Sequence, residues 1–159
     1  MEYPINIDNI TPSLEFYSDV ASLAEESKKY LIRQEWCRGI RNGWLFTNLG
    51  KVLCIFLFEV ENEQRPEDNL LWIIVGDLPP MYLDTSSVSD NTEAVEVYIQ
   101  LVIDWIDHLE SGEPLDDCFP LEAEQSAESI QMLKGRMTLL QYTILPEIEK
   151  LPFKLIEKQ

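Results

Sequence analysis

The sequence predicts an α+β fold: an N-terminal helix, an antiparallel meander of three or four strands, and then two long amphipathic helices packed on the sheet. Three observations support this prediction. Apolar residues recur at helical spacing near the N-terminus, three short apolar runs lie between residues 43 and 75, and a longer helical repeat follows residue 90. The 159 residues fit a single domain spanning residues 1–159, with enough apolar side chains to form a core.

The first helix is predicted to begin at Thr11-Pro12, where a hydroxyl cap precedes a proline at the first helical position. It is predicted to run to about Cys37 or Arg38 and to end at Gly39, because glycine suits the left-handed conformation that follows many helices. Its core-facing side chains are expected to be Phe16, Val20, Leu23, Ala24 and Leu31.

Two apolar runs, residues 43–47 and 51–60, predict a hairpin with its turn at Asn48-Leu49-Gly50. The second run does not alternate with polar residues, so we expect a central strand that is covered on both faces. Residues 70–75 predict the next strand, which is antiparallel because its connection is too short for a crossover.

The sheet must end, or have its edge, at Pro79-Pro80, because proline cannot donate a ladder hydrogen bond. Residues 81–83 are then a short further strand or an extended arm.

Two further helices are predicted after the sheet. The first is capped by Ser89 or Asp90 and stops by Gly112, and its apolar stripe faces the core. The second covers residues 122–145 and ends or kinks at Pro146. The tail, residues 147–159, predicts one short docked helix interrupted at Pro152.

The net charge of −17 is concentrated in one part of the chain. Residues 59–124 contain 18 acidic side chains and one basic side chain, Arg65, whereas the rest of the chain is balanced. A region of negative potential disfavours nucleic-acid phosphates and anionic lipid as partners, and it favours a basic protein. The opening residues lack the pattern of a secretory signal, and no apolar run approaches the length of a membrane helix. We therefore expect a cytoplasmic protein without membrane contact.

Few residues suggest catalysis or metal binding. Cys37, Cys54 and Cys118 are widely spaced and are expected to be buried and reduced. Asp104 and His108 share a helix face and could supply two metal ligands, but no pattern indicates a third, so a solvated acidic face is favoured and no metal or cofactor is predicted. A catalytic triad would need His108, the only histidine, which lies within a predicted regular helix.

Asp77 follows a predicted strand, at a position where many α/β enzymes place a functional carboxylate. Because this sheet reads as antiparallel, the favoured interpretation is a turn residue that bonds to nearby backbone. The alternative is a ligand pocket between the sheet and the second helix that uses Asp77, Trp72 and Trp44.

The remaining aromatic and basic residues favour structural roles. The tryptophans are expected to lie mostly in the core, with Trp36 or Trp44 closest to a surface groove. Three arginines form the only basic cluster and are expected to pair within the chain rather than bind an anion: Arg33, Arg38 and Arg41.

The stretch Trp72-Ile73-Ile74-Val75-Gly76-Asp77-Leu78-Pro79 resembles a family of short bacterial proteins of unknown function. In that family an aromatic-led strand ends in Gly-Asp-Leu-Pro and a long amphipathic helix follows. The resemblance covers residues 70–109, and it implies a bacterial source without implying an activity.

These features favour a non-catalytic binding protein whose acidic segment contacts a basic partner. In size and acidity the chain is similar to immunity proteins, which capture cationic toxins by charge-steered encounter, and to type III secretion chaperones. A small enzyme or ligand-binding domain that uses Asp77 is the rival hypothesis. The predicted partner-binding residues are Asp104, Asp107, Glu110, Asp116 and Asp117.

Overall fold

A computed structural model describes residues 4–10 and 18–150 of the chain. Within these residues, a five-stranded antiparallel sheet is combined with helices. The elements are β1 (Ile5–Asn6), a 3₁₀ turn (Ile7–Asn9), α1 (Ser18–Ile32), β2 (Cys37–Leu49), β3 (Leu53–Asn62), β4 (Leu70–Gly76), β5 (Leu78–Asp84), α2 (Asn91–Ser111), α3 (Ala127–Leu139), a π-helical segment (Leu140–Ile144) and α4 (Leu145–Glu149).

The strands form a meander in the order β1-β2-β3-β4-β5, and every neighbouring pair is antiparallel. The predicted α+β class and antiparallel pairing are therefore confirmed. The predicted number of strands is too low, because the two-residue strand β1 also pairs with β2. Both consecutive prolines lie in β5, which is an edge strand, as their missing N–H groups require.

The sheet separates two hydrophobic clusters. Alternate residues of β3 point to opposite faces, so Ile55 and Leu57 pack toward α2 while Phe56 and Phe58 pack toward α1. Residues 53–58 are all fully buried, which confirms that this central strand is covered on both faces. The helices after the sheet cover one face, and α1 covers the other.

The first predicted helix is wrong at its C-terminal end. Its predicted start at Thr11-Pro12 lies outside the described residues, and α1 ends at Ile32 rather than near Gly39. The helical stripe of buried residues stops at Leu31. Beyond it, pairing with β3 satisfies the backbone from Cys37 onward, so Gly39 belongs to β2 and is no helix cap.

The helix after the sheet follows its prediction closely. Asp90 caps α2 by accepting from the Glu93 backbone N–H at 2.8 Å. In return, the Glu93 carboxylate accepts from the Ser89 backbone N–H at 3.3 Å and from its hydroxyl at 2.6 Å. At the other end, Gly112 adopts the left-handed conformation with φ = 74°. These caps fix both ends of α2.

The last helix differs from its prediction at both ends. It begins at Ala127 behind the cap Ser126, rather than at residue 122. The helical path also continues past Pro146 as α4. A π-helical segment precedes the proline, and in it the Leu145 N–H bonds to the carbonyl of Leu140, five residues back. The predicted tail beyond residue 150 lies outside the described residues. None of the helices in the described ranges is long and apolar enough to cross a membrane.

Candidate functional site

The candidate site is an acidic patch formed by the C-terminal half of α2 and the loop that follows it. We define this acidic patch as Asp104, Asp107, Glu113, Asp116 and Asp117. All five side chains are exposed to solvent. The helix is held by its apolar side against the sheet, with Val102, Trp105 and Ile106 buried, so its acidic side faces outward.

Four of the five predicted partner-binding residues belong to the acidic patch, and Glu110 is turned away from it. Asp104 and Asp107 are nearly one turn apart on α2, and Asp116 and Asp117 follow in the loop. Glu110 forms an ion pair with Lys134 on α3, with 3.0 Å between the ammonium nitrogen and the carboxylate. That carboxylate therefore helps to hold α3 against α2.

Three carboxylates of the acidic patch have no lysine or arginine beside them. Within residues 4–10 and 18–150, no lysine or arginine lies within ion-pair distance of Asp107, Asp116 or Asp117. The three arginines of the basic cluster, by contrast, are all paired within the chain, which confirms that prediction. Their pairs are Arg33 with Glu122, Arg38 with Glu63, and Arg41 with Glu61.

His108 and Cys118 lie inside the acidic patch. Nδ1 of His108 donates a hydrogen bond to the Asp104 main-chain carbonyl at 2.8 Å. That bond and the negative charges of Asp104, Glu113 and Asp107 raise the pKa of His108, against a smaller opposing effect of burial. Burial raises the pKa of the Cys118 thiol, and its hydrogen bond with Asp104 and the surrounding carboxylates raise it further. Cys37, Cys54 and Cys118 are all free and buried.

Asp77 occupies the tight turn between β4 and β5. Its carboxylate lies 2.6 Å from the guanidinium of Arg136 on α3, and the Arg136 Nε–H donates to the Asp77 carbonyl at 2.9 Å. The Asp77 N–H donates in turn to the Val52 carbonyl at 3.1 Å. Asp77 thus joins the β4–β5 turn both to the β2–β3 turn and to α3.

Asp77 also lines a surface cavity of about 450 Å³ between the β4–β5 turn and the start of α3. Of the three residues proposed for a ligand pocket, the described part of the chain brings only Asp77 to this cavity. Trp72 is fully buried in the core beneath α2, where its indole N–H donates to the Val88 carbonyl at 2.9 Å. Trp44 is half-buried on β2 and packs against the same core.

A second cavity, of about 440 Å³, is lined in part by aromatic side chains. The sequence did not indicate that these side chains are neighbours. The ring of Tyr82 lies 5.0 Å from that of Trp36 and 5.2 Å from that of Phe119, in edge-to-face contacts. The expectation that Trp36 lies near a surface groove agrees with this position. No sequence pattern predicted that Phe119 lines this cavity, because its position depends on the conformation of the loop after α2.

Comparison of the chain with models of known protein families, with curated proteins and with solved structures finds no match. The resemblance of the Trp72-to-Pro79 stretch to a family of short bacterial proteins therefore stays a prediction.

Proposed function

We propose that this protein binds a basic protein partner through the acidic patch and catalyses no reaction. The observation that carries the proposal is the set of exposed carboxylates at Asp107, Asp116 and Asp117, which have no lysine or arginine partner among the described residues. Exposed charges of one sign attract a partner of opposite sign and accelerate its encounter. A basic protein would supply the cations that the chain itself does not.

The partner class that fits best is a cationic toxin, such as one that cleaves nucleic acid. A surface that binds phosphates is itself rich in lysine and arginine, and a cluster of carboxylates on a helix end and the loop after it competes for the same cations. The function would then be to neutralise the toxin, as immunity proteins do. Binding of this kind is expected to weaken as salt is added, because screening shortens the range of exposed charges.

The first test is replacement of three patch carboxylates by amides: Asp107→Asn, Asp116→Asn and Asp117→Asn together. The triple variant is used with the wild-type chain to capture partners from the native lysate at low and high salt. The dissociation constant of the captured protein is then measured. We expect affinity to fall about 3- to 150-fold, since exposed ion pairs contribute roughly 0.2–1 kcal/mol each.

The matched control removes the same net charge elsewhere, by Glu26→Gln, Glu35→Gln and Glu149→Gln together. These three side chains are exposed and lie outside the acidic patch. The control is expected to bind as the wild type does. Equal losses in both triples, or a partner held equally well at high salt, would contradict the proposal; salt-insensitive binding through an apolar surface would favour the secretion-chaperone hypothesis.

The rival function, ligand binding beside Asp77, is favoured by one observation. The cavity next to Asp77 combines carboxylates of Glu124 and Glu128 with an apolar wall that includes Met132 and Leu133. Such a lining suits a small cation with an apolar body.

Asp77→Asn tests the role of that residue in the turn. The substitution keeps the side-chain shape and removes the charge that faces Arg136. If Asp77 is a turn residue, we expect the free energy of unfolding to fall by less than about 1 kcal/mol, because the carboxylate is exposed and the Arg136 contact with the main-chain carbonyl persists. Urea unfolding measures this loss. Arg136→Met, which removes both contacts, is expected to cost more; the reverse order would count against the turn role.

A further inference from the structure

One cluster in the acidic patch combines three kinds of metal-ligating side chain. A carboxylate oxygen of Asp104, a ring nitrogen of His108 and the thiol of Cys118 all lie within 4.8 Å of one another. Asp104 and His108 are neighbours on one face of α2, and the following loop brings in the buried Cys118. The sequence pattern indicated only the first two residues, because the third comes from a different element.

We infer that Asp104, His108 and Cys118 bind a transition-metal ion, with Zn²⁺ as the expected occupant. The three side chains supply oxygen, nitrogen and sulfur, which are the donor atoms that Zn²⁺ takes in proteins. Imidazole and thiolate disfavour Mg²⁺ and Ca²⁺, which prefer oxygen ligands. The nearby carboxylates of Asp107 and Asp117 add negative potential that attracts a cation.

One pair of donors is spaced like two ligands of a tetrahedral zinc site. Nε2 of His108 lies 3.5 Å from Oε2 of Glu113. Zinc–ligand bonds of about 2.0–2.3 Å place neighbouring ligand atoms about 3.3–3.8 Å apart in a tetrahedron. The separation of His108 and Glu113 lies within that range, and the other donors lie within 4.8 Å of one another.

The orientation of the His108 ring also suits a ligand. Nδ1 donates to the Asp104 main-chain carbonyl, which can only accept, so in the neutral ring the lone pair lies on Nε2. Because Nε2 faces Glu113, that carboxylate is the nearest candidate for a fourth ligand. When Cys118 binds, its sulfur donates an electron pair to the metal and the thiol proton passes to solvent, with no change in oxidation state.

The test is a metal titration of the full chain after treatment with a chelator. ZnCl₂ binding is followed by calorimetry, and CoCl₂ binding by absorption. We expect one ion per chain and, with Co²⁺, a charge-transfer band from the Cys118 thiolate. His108→Ala and Cys118→Ser are each expected to weaken Zn²⁺ binding by more than about 100-fold, since even partners outside the ligand set are typically worth about 10–100-fold.

Glu96→Gln is the matched control, because it removes an exposed carboxylate from the same helix outside both the acidic patch and the cluster. It is expected to change the affinity less than about threefold. Far-UV circular dichroism of every variant checks that the fold is kept, and His108→Gln replaces any alanine variant that unfolds. The inference fails if Zn²⁺ does not bind at micromolar concentration, or if the ligand variants and the control bind equally well. The titration needs no protein partner, so its outcome is independent of the proposed function.

Discussion

Replacement of Trp72 by alanine is expected to lower the free energy of unfolding by about 3–5 kcal/mol, the range typical of buried tryptophan and phenylalanine truncations. The indole is fully buried between the sheet and α2. Its ring lies 4.9 Å from that of Phe46 in an edge-to-face contact, and its N–H donates to the Val88 carbonyl. Alanine would leave a cavity and would also remove the bond that ties the segment before α2 to β4.

Two further variants test why Trp72→Ala is expected to lower the free energy of unfolding so strongly. Trp72→Phe keeps an aromatic ring but has no N–H, so we expect an intermediate loss of about 1–3 kcal/mol. Trp44→Ala removes a half-buried indole from the neighbouring strand β2 and is expected to cost only about 1–2 kcal/mol. Urea unfolding followed by circular dichroism measures all three. If Trp44→Ala cost as much as Trp72→Ala, Trp72 would not be the centre of this core.

The sequence could predict those elements in which one local signal points to one structure. The apolar stripe of α2, its Asp90 cap and its Gly112 end all agree, and so the helix appears within one residue of its expected bounds. The unbroken apolar run of β3 likewise required cover on both faces. Such local agreement is independent of the rest of the chain.

The elements that were predicted wrongly depend on partners that are distant in the sequence. Residues 37–42 carry no strong strand pattern, and they are drawn into β2 because the long β3 extends far enough to pair with them. Strand β1 has only two residues and exists through its pairing with β2. The spacing of apolar residues along the sequence does not predict which distant segments pair.

The candidate site shows the same division. Acidic composition was enough to locate the acidic patch along the chain, because a helix that buries one side must expose its charged side. It could not show that Glu110 faces Lys134, or that Cys118 approaches His108, because both contacts depend on how the loop and α3 pack. Charge is therefore readable from the sequence, whereas the pairing of charges is a property of the fold.

Gly76→Ala is expected to lower the free energy of unfolding by about 2–5 kcal/mol, from two sources. Gly76 has φ = 148°, a conformation that side-chain-bearing residues rarely adopt and that costs about 1–3 kcal/mol. A Cβ atom at this position would also press against the Val52 carbonyl oxygen and lie 2.7 Å from its carbon. The Val52 carbonyl accepts from the Asp77 N–H, so it cannot withdraw without breaking that bond.

Two other glycines separate the two sources of this loss. Gly50 also has a positive φ, of 62°, but nothing lies within 4 Å of a Cβ placed there, so Gly50→Ala reports conformational strain alone and is expected to cost about 1–2 kcal/mol. Gly135 lies within α3 with open space around it, and Gly135→Ala is expected to stabilise by about 0.5–1 kcal/mol. The excess cost at Gly76 over Gly50 in urea unfolding then measures the contact between the two turns together with the greater backbone strain at φ = 148°. An excess of zero would mean that the β2–β3 turn moves freely, and that the close approach of Val52 to Gly76 does not constrain the sheet.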